Sequence, residues 1–205
     1  MTRGRRIGLL GGSFNPAHEG HRHVSLQALR HLGLDEVWWL VSPQNPLKPA
    51  AGMAPFAERI EAARRVARHP RIRPSDLEQR LGTRFTFDTL RRLRQRFPRV
   101  RFVWIIGADN LVQLPRWHRW QDILRLAPVA VFDRPTYSRA ALSGKVAQRF
   151  RACRLPAHQS RTLADRAAPA WCFIAGARHP ASATAIREGR GKKARANVVN
   201  TRPRS

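Results

Sequence analysis

Cysteine is nearly absent from this 205-residue chain: Cys153 and Cys172 are its only two, and they do not form a CxxC pair. That excludes a disulfide scaffold and a cysteine zinc site, and both thiols are expected to be reduced. Carboxylates are scarce as well, with 13 Asp and Glu set against 39 Lys and Arg for a formal net charge of +26. So few acids offer no obvious cage for a hard cation, and no protein metal ligand is assigned. Lysine is confined to Lys48, Lys145, Lys192 and Lys193, so the positive charge is almost entirely arginine. Long apolar runs are missing too. The residues after Arg5 and Arg6 break at Gly11 and Gly12, too early for a signal-peptide core or a membrane span. The expectation is a soluble, cytoplasmic protein with no membrane partner, and the sequence leaves its oligomeric state unassigned.

A charge of this size suggests a nucleic-acid partner in the first instance. The arginines, however, are spread over helix faces such as Arg59, Arg64, Arg65, Arg68 and Arg91, Arg92, Arg94, Arg96. A genome-wide arginine bias accounts for that as well as RNA binding does, so no specific nucleic acid is expected. The basic surface would steer anionic nucleotides toward a cleft, more weakly as salt rises. A basic RNA-binding protein remains the rival from a different functional class.

Apolar, β-prone runs alternate with helical stretches along most of the chain. Strands are expected at 6–10, 36–41, 72–74, around 75–78, 101–106 and 129–132, with helices at 20–32, 55–68, 86–97 and 108–114. This pattern predicts an α/β fold, a single domain with one parallel sheet and helices on both faces. In such a sheet ligands bind beyond the carboxyl ends of the strands, so Gly11, Ser42, Gly107 and Asp133 should gather along one edge. One domain is expected over 1–188, followed by a basic, poorly ordered tail over 189–205.

The richest stretch is Gly11 to His21, GGSFNPAHEGH, which follows an apolar run and precedes an amphipathic one. Strand, glycine turn and helix in that order place backbone N–H groups and the positive end of a helix dipole at one spot, where an anion belongs. Gly11 and Gly12 would let a nucleotide approach the main chain, and Ser13 adds a hydroxyl. His18 and His21, three residues apart, share a face of the first helical turn, where their ring N–H groups can meet phosphate oxygens. A zinc site of His18, His21 and His23 lacks any accompanying cysteine or suitably spaced further ligand. The spacing matches neither the P-loop nor the three-glycine dinucleotide fingerprint.

GGSFNPAH followed by EGH instead resembles the signature of the HxGH nucleotidylyltransferase superfamily, here His18, Glu19, Gly20 and His21. The resemblance implies a Rossmann-like nucleotidylyltransferase fold and ATP as donor, its triphosphate held by Gly11, Gly12, Ser13, Phe14, His18 and His21. His18 and His21 are the implied catalytic pair. Gly107, Ala108, Asp109 and Asn110 form a second strand-to-helix turn, and the resemblance implies that Gly107 and Asp109 lie beside adenosine. PASATAIR, residues 180–187, is similar to the family's ISSTxIR element, departing from it at Ala181 and Ala183. It implies that Ser182, Thr184 and Arg187 hold the β and γ phosphates, as hydroxyls and a guanidinium at a helix start would.

Two further segments resemble the branch acting on nicotinate mononucleotide: Thr86 to Leu90, with Phe85 in place of the usual tyrosine, and Leu114 to His118. An indole at Trp117 suits stacking on a pyridinium ring, and N–H groups near Thr86 and His118 suit its carboxylate. A packing role is the rival reading for Trp117. Lys48, in a loop after the second strand, and Arg134, in an RP pair, complete the implied acceptor site. Together these resemble bacterial nicotinate-nucleotide adenylyltransferases over about residues 5–188. The implied reaction transfers AMP from ATP to nicotinate mononucleotide, giving nicotinic acid adenine dinucleotide and pyrophosphate in NAD biosynthesis, with Mg²⁺ bound mainly through the ATP phosphates. Adenylyl or cytidylyl transfer to another phosphorylated acceptor, such as phosphopantetheine or nicotinamide mononucleotide, is the alternative within the superfamily.

Overall fold

The computed structural model describes residues 4–43, 52–134 and 136–176. Its strands are β1 (Arg6–Gly12), β2 (Glu36–Val41), β3 (Ile72–Ser75), β4 (Arg101–Gly107), β5 (Val129–Phe132), β6 (Arg154–Leu155) and β7 (Trp171–Ile174). They form one sheet in the order β3-β2-β1-β4-β5-β7-β6, and every neighbouring pair is parallel. The helices are α1 (Glu19–His31), α2 (Phe56–Ala67), α3 (Leu77–Arg80), α4 (Thr86–Arg96), α5 (Ala108–Gln113), α6 (Trp120–Leu126), α7 (Ser138–Ser143) and α8 (Lys145–Arg149). Short 3₁₀ segments lie at Leu114–Arg116, Arg151–Cys153 and Ala157–Asp165.

The strands read as continuous apolar runs because both faces of the sheet are covered. Successive residues alternate between two cores. Val103 and Ile105 of β4 join Ala130 and Phe132 of β5 under α1, α2 and the Ala157–Asp165 segment. Phe102, Trp104 and Ile106 join Val129 and Val131 on the other face, under α4, α5 and α6. No helix among the described residues is long and apolar enough to cross a membrane, and Cys153 and Cys172 are both free.

The chain runs outward in opposite directions from β1, through β2 to β3 and through β4 to β5, so the switch in strand order falls between β1 and β4. A crevice at their carboxyl ends is where an open α/β sheet binds its ligand. The strand ends do line up: Gly12 is level with Val41, Gly107 with Phe132, and Ser42 N–H donates to the Gly12 carbonyl at 2.9 Å.

The structure corrects three expectations. No strand runs over 75–78: β3 stops at Ser75, whose hydroxyl accepts from Leu77 N–H at 3.3 Å, and the chain turns into α3. The sheet also continues past β5, through β7 and β6. Finally, Arg59, counted with the arginines spread over helix faces as part of a basic surface, is turned inward and only 3% exposed.

Candidate active site

The turn after β1 is built around packing as much as around a ligand. A Cβ on Gly11 would lie 2.7 Å from Trp104 Cη2, so a side chain there collides with a buried indole. Gly11→Ala is therefore expected to destabilise the fold by about 1–3 kcal/mol through overpacking, read as a lower midpoint in urea denaturation. Phe14 adopts a left-handed φ of 47° with its ring buried, 4.6 Å from His21 and 5.1 Å from Trp39 between centroids. It forms the floor on which His21 rests.

His18 is the N-cap of α1 rather than a residue of its first turn. Its Nδ1 accepts from Gly20 N–H at 3.1 Å, and His21 Nδ1 accepts from His18 N–H at 3.2 Å, closing a capping box made of two imidazoles. An Nδ1 that accepts carries no proton, so in the neutral ring the N–H sits on Nε2. The cap thereby sets the tautomer of both rings, which lie 3.9 Å apart between centroids. This changes the expected chemistry: the backbone N–H groups of His18 and Gly20 are taken up by the histidines.

At the end of β4, Gly107 caps α5 and no side chain hydrogen-bonds across the cap, so Asp109 is not a helix cap. Its carboxylate lies 3.6 Å from Arg134 Nε. Asp109 Oδ1 is buried and has no hydrogen-bond partner among the described residues. A Cβ on Gly107 would fall 2.3 Å from that oxygen and 3.1 Å from Arg134 Nε, so only glycine lets this pair converge on the strand end. Arg134 is thus the partner of Asp109 before it is anything else.

Phe85, Thr86 and His118 are brought together across α4 and the loop before α6. The Phe85 ring lies 4.7 Å from the His118 ring. Thr86 is the first residue of α4, whose N-terminus has no side-chain cap, so its leading N–H groups and dipole suit a carboxylate. Trp117 follows the Leu114–Arg116 turn, packs at the edge of the core under α4, α5 and α6, and has a buried Nε1 without a hydrogen-bond partner among the described residues. Lys48, Ser182, Thr184 and Arg187 lie outside the described residues.

Two residues that matter to this site escaped the sequence reading. The Arg59 guanidinium donates to the carbonyls of Ser13 and Ser42 at 2.7 Å, Pro43 at 2.8 Å and Ala54 at 2.9 Å. It ties the nucleotide turn to the end of β2, and burial pulls its pKa below the ordinary guanidinium value. The signal was present: Phe56, Arg59, Ile60, Ala63 and Ala67 form one helical stripe that packs inward, with Arg59 in the middle of it. Glu78 is the second. It is 8% exposed, and burial pushes its carboxyl up to about 7, opposed by hydrogen bonds from Ser42 and Thr89.

The chain matches the cytidylyltransferase-like family over residues 9–189. It is 54% identical over 191 residues to a probable nicotinate-nucleotide adenylyltransferase of Parvibaculum lavamentivorans, covering 93% of this chain and 95% of that protein. The chain belongs to the nicotinate-nucleotide adenylyltransferase family. A Bradyrhizobium sp. (strain BTAi1) relative of the same name is 53% identical over 186 residues, 91% of this chain and 97% of its own. The fold is also that of the Plasmodium falciparum nicotinic acid mononucleotide adenylyltransferase solved with NaAD, with a TM-score of 0.68 at 16% identity over 90% of this chain and 83% of that one. The turns after β1 and β4 stand side by side at the switch in strand order.

Proposed function

We propose that the protein transfers the adenylyl group of ATP to nicotinate mononucleotide, forming nicotinic acid adenine dinucleotide and releasing pyrophosphate, as a single domain through residue 188. The observation that carries this reading is the two-imidazole capping box at the end of β1, beside the β1/β4 switch point. An oxygen of the acceptor phosphate attacks the α phosphorus of ATP while the bond to the β-phosphate oxygen breaks. The protein's part is alignment and stabilisation of charge on the transferring and leaving phosphates. His18 and His21 supply Nε2–H donors to those phosphates, and Ser182, Thr184 and Arg187 hold the β and γ groups. Asp109 accepts from the ribose or the adenine amine, with Gly107 allowing its approach. Trp117 stacks on the pyridine ring, Thr86 and His118 offer N–H groups to its carboxylate, and Lys48 and Arg134 bear on the acceptor phosphate. The N–H groups and imidazoles of the site suit phosphate directly, and Mg²⁺ is assigned to the phosphates of the nucleotide. Bound there, Mg²⁺ would neutralise phosphate charge.

Pyrophosphate release from ATP and Mg²⁺ tests this, with nicotinate mononucleotide, nicotinamide mononucleotide and phosphopantetheine compared as acceptors. The first should have the highest kcat/KM; faster turnover of phosphopantetheine would sink the assignment. Trp117→Ala should raise KM for nicotinate mononucleotide roughly 10- to 100-fold, the scale of a lost ring stack, while KM for ATP moves far less. Equal losses for both substrates would remove the stacking role.

A further inference from the structure

Beneath the two substrate regions runs a buried polar chain that the transfer chemistry does not use. One end is the backbone where β1 finishes, at Gly12 and Ser13. Gly12 accepts from Ser42 N–H at 2.9 Å, and Arg59 Nη1 is shared between the carbonyls of Ser13 and Ser42 at 2.7 Å each. From Ser42 the chain passes through its side chain to the Glu78 carboxyl. Thr89 Oγ1 stands 3.3 Å from Glu78 Oε1, 2.9 Å from Thr83 Oγ1 and 3.2 Å from the Phe85 carbonyl. Phe85 in turn carries the ring that packs on His118. The chain therefore reaches from the turn below His18 to the start of α4.

Glu78 is the middle of this chain, and its described partners are hydroxyls, not cations. Burying a carboxyl costs free energy that its hydrogen bonds to hydroxyls only partly offset. Thr89 has one hydroxyl proton and three acceptors within reach, so a proton on Glu78 would add a donor to those of Thr83, Thr89 and Ser42. The raised carboxyl pKa, about 7, agrees with that arrangement.

We propose that Glu78 is a positioning residue for the transfer reaction: through Ser42 and Thr89 it holds the start of α4, at Phe85 and Thr86, in register with the Gly12–Ser13 turn. Each substrate then orders the same chain from its own end, so binding of ATP strengthens binding of the acceptor and the reverse, by the same factor. This rests on the adenylyl transfer reading given above.

The test is the KM for nicotinate mononucleotide at subsaturating and saturating ATP, in the wild type and in Glu78→Gln, Glu78→Leu, Ser42→Ala and Thr89→Val. In the wild type the ratio of the two KM values exceeds one. Glu78→Gln, which keeps an acceptor and adds two donors in the same shape, stays within about threefold of it. Glu78→Leu and Thr89→Val bring the ratio toward one and raise the acceptor KM roughly tenfold, the scale of one lost buried hydrogen bond, with a smaller change in kcat. Ser42→Ala and Thr89→Val each delete or replace one hydroxyl, so they read the effect even where Glu78→Leu fails to fold. An unchanged ratio in both, or a proportional fall in kcat alone that tracks the folded fraction, overturns the proposal. If the wild type uses another acceptor of the panel, the adenylyl acceptor assignment fails and the same ratio is read with that acceptor; if it uses none, both readings fall.

Discussion

His18→Ala and His21→Ala are each expected to lower kcat for pyrophosphate release by about 10²- to 10³-fold, the usual consequence of deleting one aligned donor to charge that develops in a transition state. The capping box makes this more than a statement about histidines. Both Nδ1 atoms accept backbone N–H groups, so both rings are fixed in orientation and tautomer before substrate arrives, and no reorganisation is needed as charge moves onto the phosphates. The same geometry supplies the rival explanation, because His18→Ala also deletes a helix cap worth about 1 kcal/mol. His18→Asn separates the two. Asparagine caps α1 well but has no Nε2–H at the far edge of a ring. Thermal melts should show stability restored in His18→Asn while turnover stays low; recovery of turnover would reduce His18 to a cap. For His21→Ala the contact with Phe14 is lost as well, so its melt must accompany its kinetics.

The elements most legible in the sequence were those buried on two sides. β2, β4 and β5 announce themselves as apolar runs because helices cover both faces of the sheet, and a parallel sheet then determines which strand ends can meet. β7 is as short and as buried as β5, but it follows the 3₁₀ segment Ala157–Asp165 instead of an amphipathic α-helix, so it falls outside the strand–helix alternation that marked β5. The ligand-facing motifs were found by residue type, and what type conceals is the partner. His18 reads as a ring for phosphate and is also a helix cap. Asp109 reads as a carboxylate for adenosine and also faces Arg134 from a separate element. Gly11 reads as room for a nucleotide and is also room for Trp104. Arg59 and Glu78 were missed because a charged residue is assigned to solvent by default: for Arg59 the inward helical stripe argued otherwise, whereas Glu78, in a stretch expected to be a strand, is revealed only by its tertiary contact with Thr89.

Glu78 also gives the protein a pH dependence of stability with an unusual sign for a carboxylate. Its pKa stands near 7 in the folded state against 4.5 for the ordinary side chain, with burial as the main cause and the hydrogen bonds from Ser42 and Thr89 opposing it. The folded state therefore holds this proton more tightly than the unfolded chain does. The stability that follows is fully present below pH 4.5 and is lost as pH rises through 7, the reverse of a salt-bridged acid. The interval between the two values corresponds to a loss on the order of 3 kcal/mol by pH 9. Other groups titrate over the same range, so the useful quantity is a difference between proteins. Urea denaturation of the wild type and of Glu78→Gln at pH 5 and pH 9 should show the variant gaining about 3 kcal/mol relative to the wild type between the two, because glutamine mimics the neutral acid and has no proton to lose. Arginine does not change charge across this interval, so the large positive charge of the chain cancels in the comparison. A variant that instead loses ground as pH rises would mean that the hydroxyls of Ser42 and Thr89 stabilise the ionised form. Glu78 would then be a buried anion anchored by its donors.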